Sequence, residues 1–249
     1  MLSRLRHWSQ QVLPRLPAVL PCACALCGTY GGAHGSEALC QGCRAQFFGG
    51  HPHRCTCCAL PLTTRSAAIC GACLKKPPAF DETIVATDYS APVDQLVLGL
   101  KFGSRLELAP LFAQMLENAA QDRRLTPLPQ QMTAVPLGAQ RLAERGFNQA
   151  LEIARPLSRA LGIKMDARLV VRLHETRAQS LLHPDERHKN IRNAFLVTGD
   201  AIERVRGQHI GVVDDVMTTG ETLNELARTL KRFGAARVTN FVFARTLEK

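Results

Sequence analysis

A chain of 249 residues with 46% hydrophobic content has room for one large or two modest soluble domains. No apolar stretch approaches ~20 residues, which speaks against a membrane-spanning helix. The net charge of +10 suits an acidic partner such as nucleic acid, but +7 of it lies in residues 1–79, where eight Lys and Arg face a single Glu.

At the start, Arg4 and Arg6 precede Val12, Leu13, Leu16, Val19 and Leu20, and Pro14, Arg15 and Pro17 break that run before it forms a signal-peptide core. It reads as a short basic amphipathic lead-in, and a cytoplasmic location is expected. All ten cysteines then fall between Cys22 and Cys73. Eight form four C-x-x-C pairs: Cys24 with Cys27, Cys40 with Cys43, Cys55 with Cys58, and Cys70 with Cys73. A two-residue gap lets both thiolates of one knuckle reach a metal at ~2.3 Å, and two knuckles complete a tetrahedron. Disulfides would need an oxidising compartment, and no signal sequence supports one. Two structural zinc ions are therefore expected. Consecutive pairing is the simplest arrangement, and spacing leaves an interleaved one open. Cys22 and Cys57 fall outside the pairs, and His34, His51 and His53 are read as bystanders to sites already closed by four thiolates. Eight thiolates around two Zn²⁺ also remove four charges from the basic excess.

Lys75, Lys76, Pro77 and Pro78 form a stiff polar joint, after which the pattern changes to alternating strands and helices. Two domains are expected, 1–79 with the ribbons and 80–249 with an α/β fold. Residues 83–87 read as a strand, and Val93, Leu96, Val97 and Leu100 mark one helix. Leu108, Leu111, Phe112, Met115 and Leu116 mark the next, and residues 121–131 read as a loop. Further strands are expected at 133–135, 170–172, 210–213 and 238–243. Strands separated by helices imply a parallel sheet with flanking helices, whose ligand site lies beyond the strands' carboxyl ends.

Three polar clusters fall in segments read as loops near those ends. The first runs to Lys101 and Arg105; the second is R-L-A-E-R-G-F-N-Q at 141–149, in which Arg141 and Arg145 would grip a pyrophosphate. There Asn148 and Gln149 open the following helix. The third is the basic stretch 176–195, of which residues 177–192 would also face the pyrophosphate. Scattered aromatics, Trp8, Phe102 and Phe147, would stack bases of a single strand.

The densest signal is V-V-D-D-V-M-T-T-G-E-T at 212–222, a buried strand running into two carboxylates, then Thr218, Thr219, Gly220, Glu221 and Thr222. Leu223, Leu226, Ala227 and Leu230 follow at helical spacing. Amides at a helix start favour an anion, and the threonine hydroxyls add donors. Asp214 and Asp215 suit vicinal sugar hydroxyls or a hydrated Mg²⁺. A plain surface turn with Thr222 or Thr219 as helix cap is the competing reading. No Walker loop is present.

These residues resemble the phosphoribosyltransferase signature, whose ligand is phosphoribosyl pyrophosphate (PRPP). Taken in order, the four C-x-x-C pairs, K-F-G near 101, V-P-L followed by E-R-G-F-N-Q, T-x-x-Q-x-x-L with R-x-x-N-x-x-x-A-F, and V-V-D-D-V-M-T-T-G-E-T resemble the competence protein ComF family from Leu20 onward. The resemblance implies a type I phosphoribosyltransferase-like sheet preceded by a small double zinc ribbon. It also implies PRPP bound with Mg²⁺ at Asp214, Asp215, 218–222, Arg141 and Arg145. Single-stranded DNA and a protein of the DNA-uptake machinery are the partners it implies, with natural transformation as the setting. An active Mg²⁺-dependent transferase is the alternative; no general base or acceptor is evident. Two departures stand out: Gly138 and Ala139 replace bulkier or basic residues after V-P-L, and Pro156 is expected to kink the helix after Gln149.

Overall fold

The computed structural model describes residues 23–30, 38–50, 52–64, 66–173 and 193–247. Contacts divide the chain into two compact units, 1–50 and 51–249. The change of pattern at 75–78 is therefore not where the contacts divide, because the second pair of knuckles falls in the larger unit.

In the first unit a one-turn knuckle is closed by the bridge Ala23↔Tyr30 and by Cys24 N–H to Thr29 O at 3.1 Å. Helix α1 (Gln41–Phe48) follows, with the Cys40 sulfur accepting from the Cys43 amide. The second unit repeats that construction. Arg54↔Pro61 is its bridge, Cys55 N–H bonds Leu60 O at 2.8 Å, and α2 (Gly71–Lys75) follows Cys70. Gly28 and Ala59 take the matching left-handed position after each knuckle, at φ 71° and 60°.

The rest of the second unit is built on β1 (Glu82–Asp88), α3 (Val93–Phe102), α4 (Leu108–Asp122), β2 (Gln131–Ala134), α5 (Ala139–Arg145), α6 (Gln149–Ala160), β3 (Lys164–Met165), β4 (Val170–Arg172), β5 (Phe195–Val197), a 3₁₀ turn at Gly199–Ala201, α7 (Ile202–Val205), β6 (His209–Met217), α8 (Glu221–Arg232) and β7 (Arg237–Arg245). Five strands form a parallel sheet in the order β1-β7-β6-β2-β3. The central strands are near-continuous runs of buried residues, as two covered faces require. Ile210, Val212, Val238 and Val242 share a core with Leu223, Leu226 and Leu230 of α8. The opposite face takes α4 and α6, where Phe112 stacks on Phe243 with centroids 3.5 Å apart. Cys55, Cys57, Cys58 and Cys73 belong to the α8-side core, so the second ribbon is packed into the domain that follows it.

Several expected boundaries move. β6 runs to Met217 instead of stopping before the acidic pair, because β7 continues to pair with it, Asp214 opposite Val242 and Met217 opposite Arg245. β2 begins at Gln131, inside the expected loop, and Arg141 to Arg145 are helical rather than looped. β4 leaves the main sheet and pairs antiparallel with β5. Gly138 and Ala139 begin α5, and α6 continues through Pro156 to Ala160.

Candidate functional site

β2 is in register with β6 only as far as Ala134 opposite Val213, with a last bond from Val135 N–H to Val213 O at 2.9 Å. β6 then runs on beside β7 alone. Asp214 and Asp215 therefore stand where one neighbouring strand has turned away. From there the chain leaves β2 toward β3 on one side and β6 toward β7 on the other, the switch point at which open α/β sheets hold ligands.

Successive strand residues face opposite sides, so the two carboxylates differ. Asp215 is buried and bonded by Lys101 Nζ at 2.7 Å, which brings the end of α3 to the site. Asp214 is partly open to solvent, and its carboxyl accepts the Asp215 amide at 2.9 Å. The carboxyl group itself is enclosed although the residue is partly exposed, and this burial pushes it well above the usual carboxylate range; the Asp215 charge raises it further, and Lys101 pulls it back. The pair thus carries excess negative potential that a cation would relieve.

The E-R-G-F-N-Q motif is explained by its backbone. Gly146 at φ 79° ends α5, and Asn148 caps α6 by accepting from the amides of Ala150 and Leu151 at 3.0 and 3.3 Å. The Asn148 side chain also donates to Val135 O at 3.0 Å, fixing this turn to the end of β2. Arg145 then donates to Gln149 Oε1 at 2.5 Å and lies 5.2 Å above the Phe102 ring. Burial lowers the Arg145 pKa, the Asp215 charge raises it, and Arg141 one turn earlier lowers it again. Phe102 itself is 72% exposed. Arg105, by contrast, pairs with Glu107 at 2.9 Å. The stretch 177–192 lies outside the described residues.

The loop after β6 exposes Thr218 and Thr219 and enters α8 through Gly220. Gly220 has φ 81°, a left-handed conformation that favours glycine, and its bare Cα leaves room for the Met217 methyl group. It occupies the N-cap position, where a glycine has no side chain of its own with which to cap the helix. Thr219 and Thr222 are therefore not the cap. Behind the loop is a residue that the sequence analysis passed over: Arg245, 2% exposed, donates to Met217 O at 3.1 Å, to Thr218 O, and to Cys58 O at 3.1 Å. Arg54, also buried, donates to Ala59 O at 3.0 Å and pairs with Asp88 at 2.9 Å. The sequence signal for either is slight: Arg54 directly precedes a metal-ligand cysteine, and Arg245 follows the strand read at 238–243.

The cysteines group consecutively, Cys24, Cys27, Cys40 and Cys43 in one tetrad and Cys55, Cys58, Cys70 and Cys73 in the other, with the sulfurs of each within 4.8 Å of one another. Cys27 and Cys40 sulfurs are 3.7 Å apart, and Cys58 and Cys70 sulfurs 3.6 Å. A tetrahedron with Zn–S bonds of ~2.3 Å has edges of ~3.8 Å, so both tetrads fit structural zinc. None of the described cysteines is in a disulfide. Hydrogen bonding with Thr29, first through its side chain and then its backbone, lowers the Cys27 thiol to about 6, toward the thiolate a metal needs. Among the described residues, no helix is long and apolar enough to cross a membrane.

Comparison with known proteins agrees with both halves of this picture. A double zinc ribbon domain matches residues 16–74, and a phosphoribosyl transferase domain matches residues 148–249. The DNA utilization protein YhgH of Salmonella typhi is 39% identical over 196 residues, covering 78% of this chain and 84% of that protein. Competence protein F of Haemophilus influenzae is 32% identical over 212 residues, covering 84% and 91%. Among solved structures, the glutamine PRPP amidotransferase of B. subtilis, complexed with ADP and GMP, aligns at 15% identity and a TM-score of 0.36, over 54% of this chain and 26% of its own.

Proposed function

Since the chain belongs to the competence protein F family, we propose that it binds PRPP with Mg²⁺ at the β6–α8 loop and handles single-stranded DNA in the cytoplasm during DNA uptake. The observation that carries the PRPP reading is the helix start at Gly220, entered through the exposed Thr218 and Thr219 and set beside an acidic pair at the sheet's switch point. Residues 218–222 would take the 5-phosphate, and Asp214 the ribose hydroxyls and the metal, with Asp215 held by Lys101. Arg145, with Arg141 a turn away, would take the pyrophosphate. Bound Mg²⁺ would supply neutralisation of phosphate charge. Support for a DNA strand comes from Arg141, Arg145 and the exposed Phe102 ring, which offers a base a face to stack on.

The test is calorimetric titration of the full chain with Mg²⁺-PRPP and with a single-stranded oligonucleotide, separately and in competition. Asp214→Asn is the clean variant. Neutralising Asp215 as well would leave the half-buried Lys101 ammonium without its partner, whereas burial already disfavours Asp214 as an anion. Mg²⁺-PRPP affinity should fall at least tenfold in Asp214→Asn, with the melting temperature unchanged or raised. Unchanged affinity in the folded variant defeats the site assignment. PRPP and DNA should compete for the Arg145 side, and independent binding would move the DNA surface elsewhere.

A further inference from the structure

Arg245 joins two parts of the larger unit that the family description treats separately. Its Nε donates to the carbonyl of Cys58, a member of the second tetrad, while the two hydrogens of Nη1 are shared among the carbonyls of Met217, Thr218 and Thr246. In a planar trans peptide the C=O of one residue and the N–H of the next point in opposite directions. Fixing the Met217 and Thr218 carbonyls toward Arg245 therefore turns the amides of Thr218 and Thr219 to the other side, where an anion would receive them. The buried guanidinium also places a positive charge directly behind those amides.

Beside this strut opens a gap of about 260 Å³, lined by Leu60, Cys73 and Phe80 together with Met217, Gly220 and Glu221. Within that gap, Arg245 supplies hydrogen bonds to both walls. The Cys58 carbonyl lies where the knuckle has its shape only while the sulfurs are held, because metal binding is what folds such turns. Loss of zinc there would release one end of the strut.

Resting on the reading of residues 218–222 as a phosphate loop, we propose that Arg245 is a positioning residue through which the second zinc ribbon supports that loop. Anion binding at the loop and zinc retention in the second ribbon are then thermodynamically coupled, and the coupling acts in both directions. The first ribbon, which has no part in this strut, is not coupled.

The experiment uses the full zinc-loaded chain, with ribose 5-phosphate as ligand and a chromophoric chelator to follow zinc release. Saturating ribose 5-phosphate should slow the loss of one zinc by about 5-fold or more and leave the other unchanged. A Cys24→Ser, Cys27→Ser variant, which retains only the second site, identifies the protected ion. Arg245→Met should weaken ribose 5-phosphate binding by about tenfold and abolish the protection, while Mg²⁺-pyrophosphate, bound at the other end of the site, keeps its affinity; Arg245→Lys should restore part of both losses. A merely destabilised variant would lose both ligands together. If wild-type protein binds ribose 5-phosphate yet releases both ions at unchanged rates, the coupling is wrong and the phosphate loop stands. If wild-type protein does not bind ribose 5-phosphate, the loop reading fails and the coupling fails with it. Since the wild-type measurement needs no variant, poor folding of Arg245→Met does not protect the proposal.

Discussion

The two ribbons close the same hydrogen bonds around their knuckles, and each is followed by a short helix that supplies the last cysteine, yet their surroundings differ. The first belongs to the unit 1–50, while the second contributes Cys55, Cys57, Cys58 and Cys73 to the core of the unit 51–249. Backbone and side chain both fasten it there: Thr83 N–H bonds Thr56 O at 3.1 Å, Arg54 pairs with Asp88 at the end of β1, and Arg245 reaches Cys58 from the end of β7. A repeated sequence motif thus has one copy that is a unit in its own right and one that is a wall of the domain after it. Similar spacing of ligands says nothing about equal roles.

Metal removal exposes that difference most strongly. The full chain should carry two zinc ions by elemental analysis. Cys24→Ser with Cys27→Ser should lower the count to one and leave the melting of the larger unit within about 2 °C. Cys55→Ser with Cys58→Ser should remove the other ion and the cooperative transition of the larger unit with it, since structural zinc contributes on the order of 10 kcal/mol to folding at neutral pH. Two pairs of substitutions with equal thermal effects, read by calorimetry, would erase the distinction.

A smaller effect tests the fastening rather than the metal. Arg54→Met keeps an unbranched apolar stem but leaves Asp88 without its cation and Ala59 O without a donor. Breaking one side of such a pair costs about 2–4 kcal/mol, or roughly 5–10 °C in a domain of this size. A shift below 1 °C would mean that the ribbon is held by apolar burial alone.

The smallest effect comes from far along the sheet and sets the background for any comparison made in acid, which also strips zinc from thiolates. His209, at the start of β6, is held down to about 4 by burial, with the Arg237 charge adding to this and Asp81 opposing it. Because the folded value lies below the ordinary 6.5, the unfolded chain takes up this proton first. The stabilisation is complete above pH 6.5 and fades as the pH falls toward 4. His209→Gln should flatten that part of the melting-temperature profile by a few degrees and leave zinc content at pH 7.5 unchanged; a profile parallel to wild type would assign the whole acid loss to other groups.

What the sequence made legible follows from the range of the interactions. The eight ligands, the acidic pair and the T-T-G turn are local patterns, each within a few residues, and the structure brings Asp214, Asp215, Arg145 and Lys101 to one place. Asn148 was readable too, as a helix start, whereas Gly146 as a helix stop was not, because the residues before it read as a loop. Arg54 and Arg245 were not, because their partners lie 34 and 187 residues away and a buried arginine looks like any other until its acceptors are in view. The length of β6 was hidden for a similar reason. Two carboxylates look like the end of a strand, and only the register with β7 keeps them inside one.

That register has a consequence for how the molecule is made. β1 and β7 are the first and last strands of the sheet and lie side by side, with Glu82 opposite Thr239, so one edge of the sheet waits until all its other strands have been made. The second ribbon emerges from the ribosome well before then. It can take up its metal at once, but both guanidinium ties to the sheet depend on strands that follow it, and the one to Cys58 comes last of all. Until β7 arrives, a zinc-loaded knuckle and its apolar inner face are held out in water beside an unfinished sheet edge, the kind of surface on which nascent chains adhere to one another. Slow translation across residues 237–245 would therefore be expected to lower the yield of folded protein more than the same delay across residues 38–50.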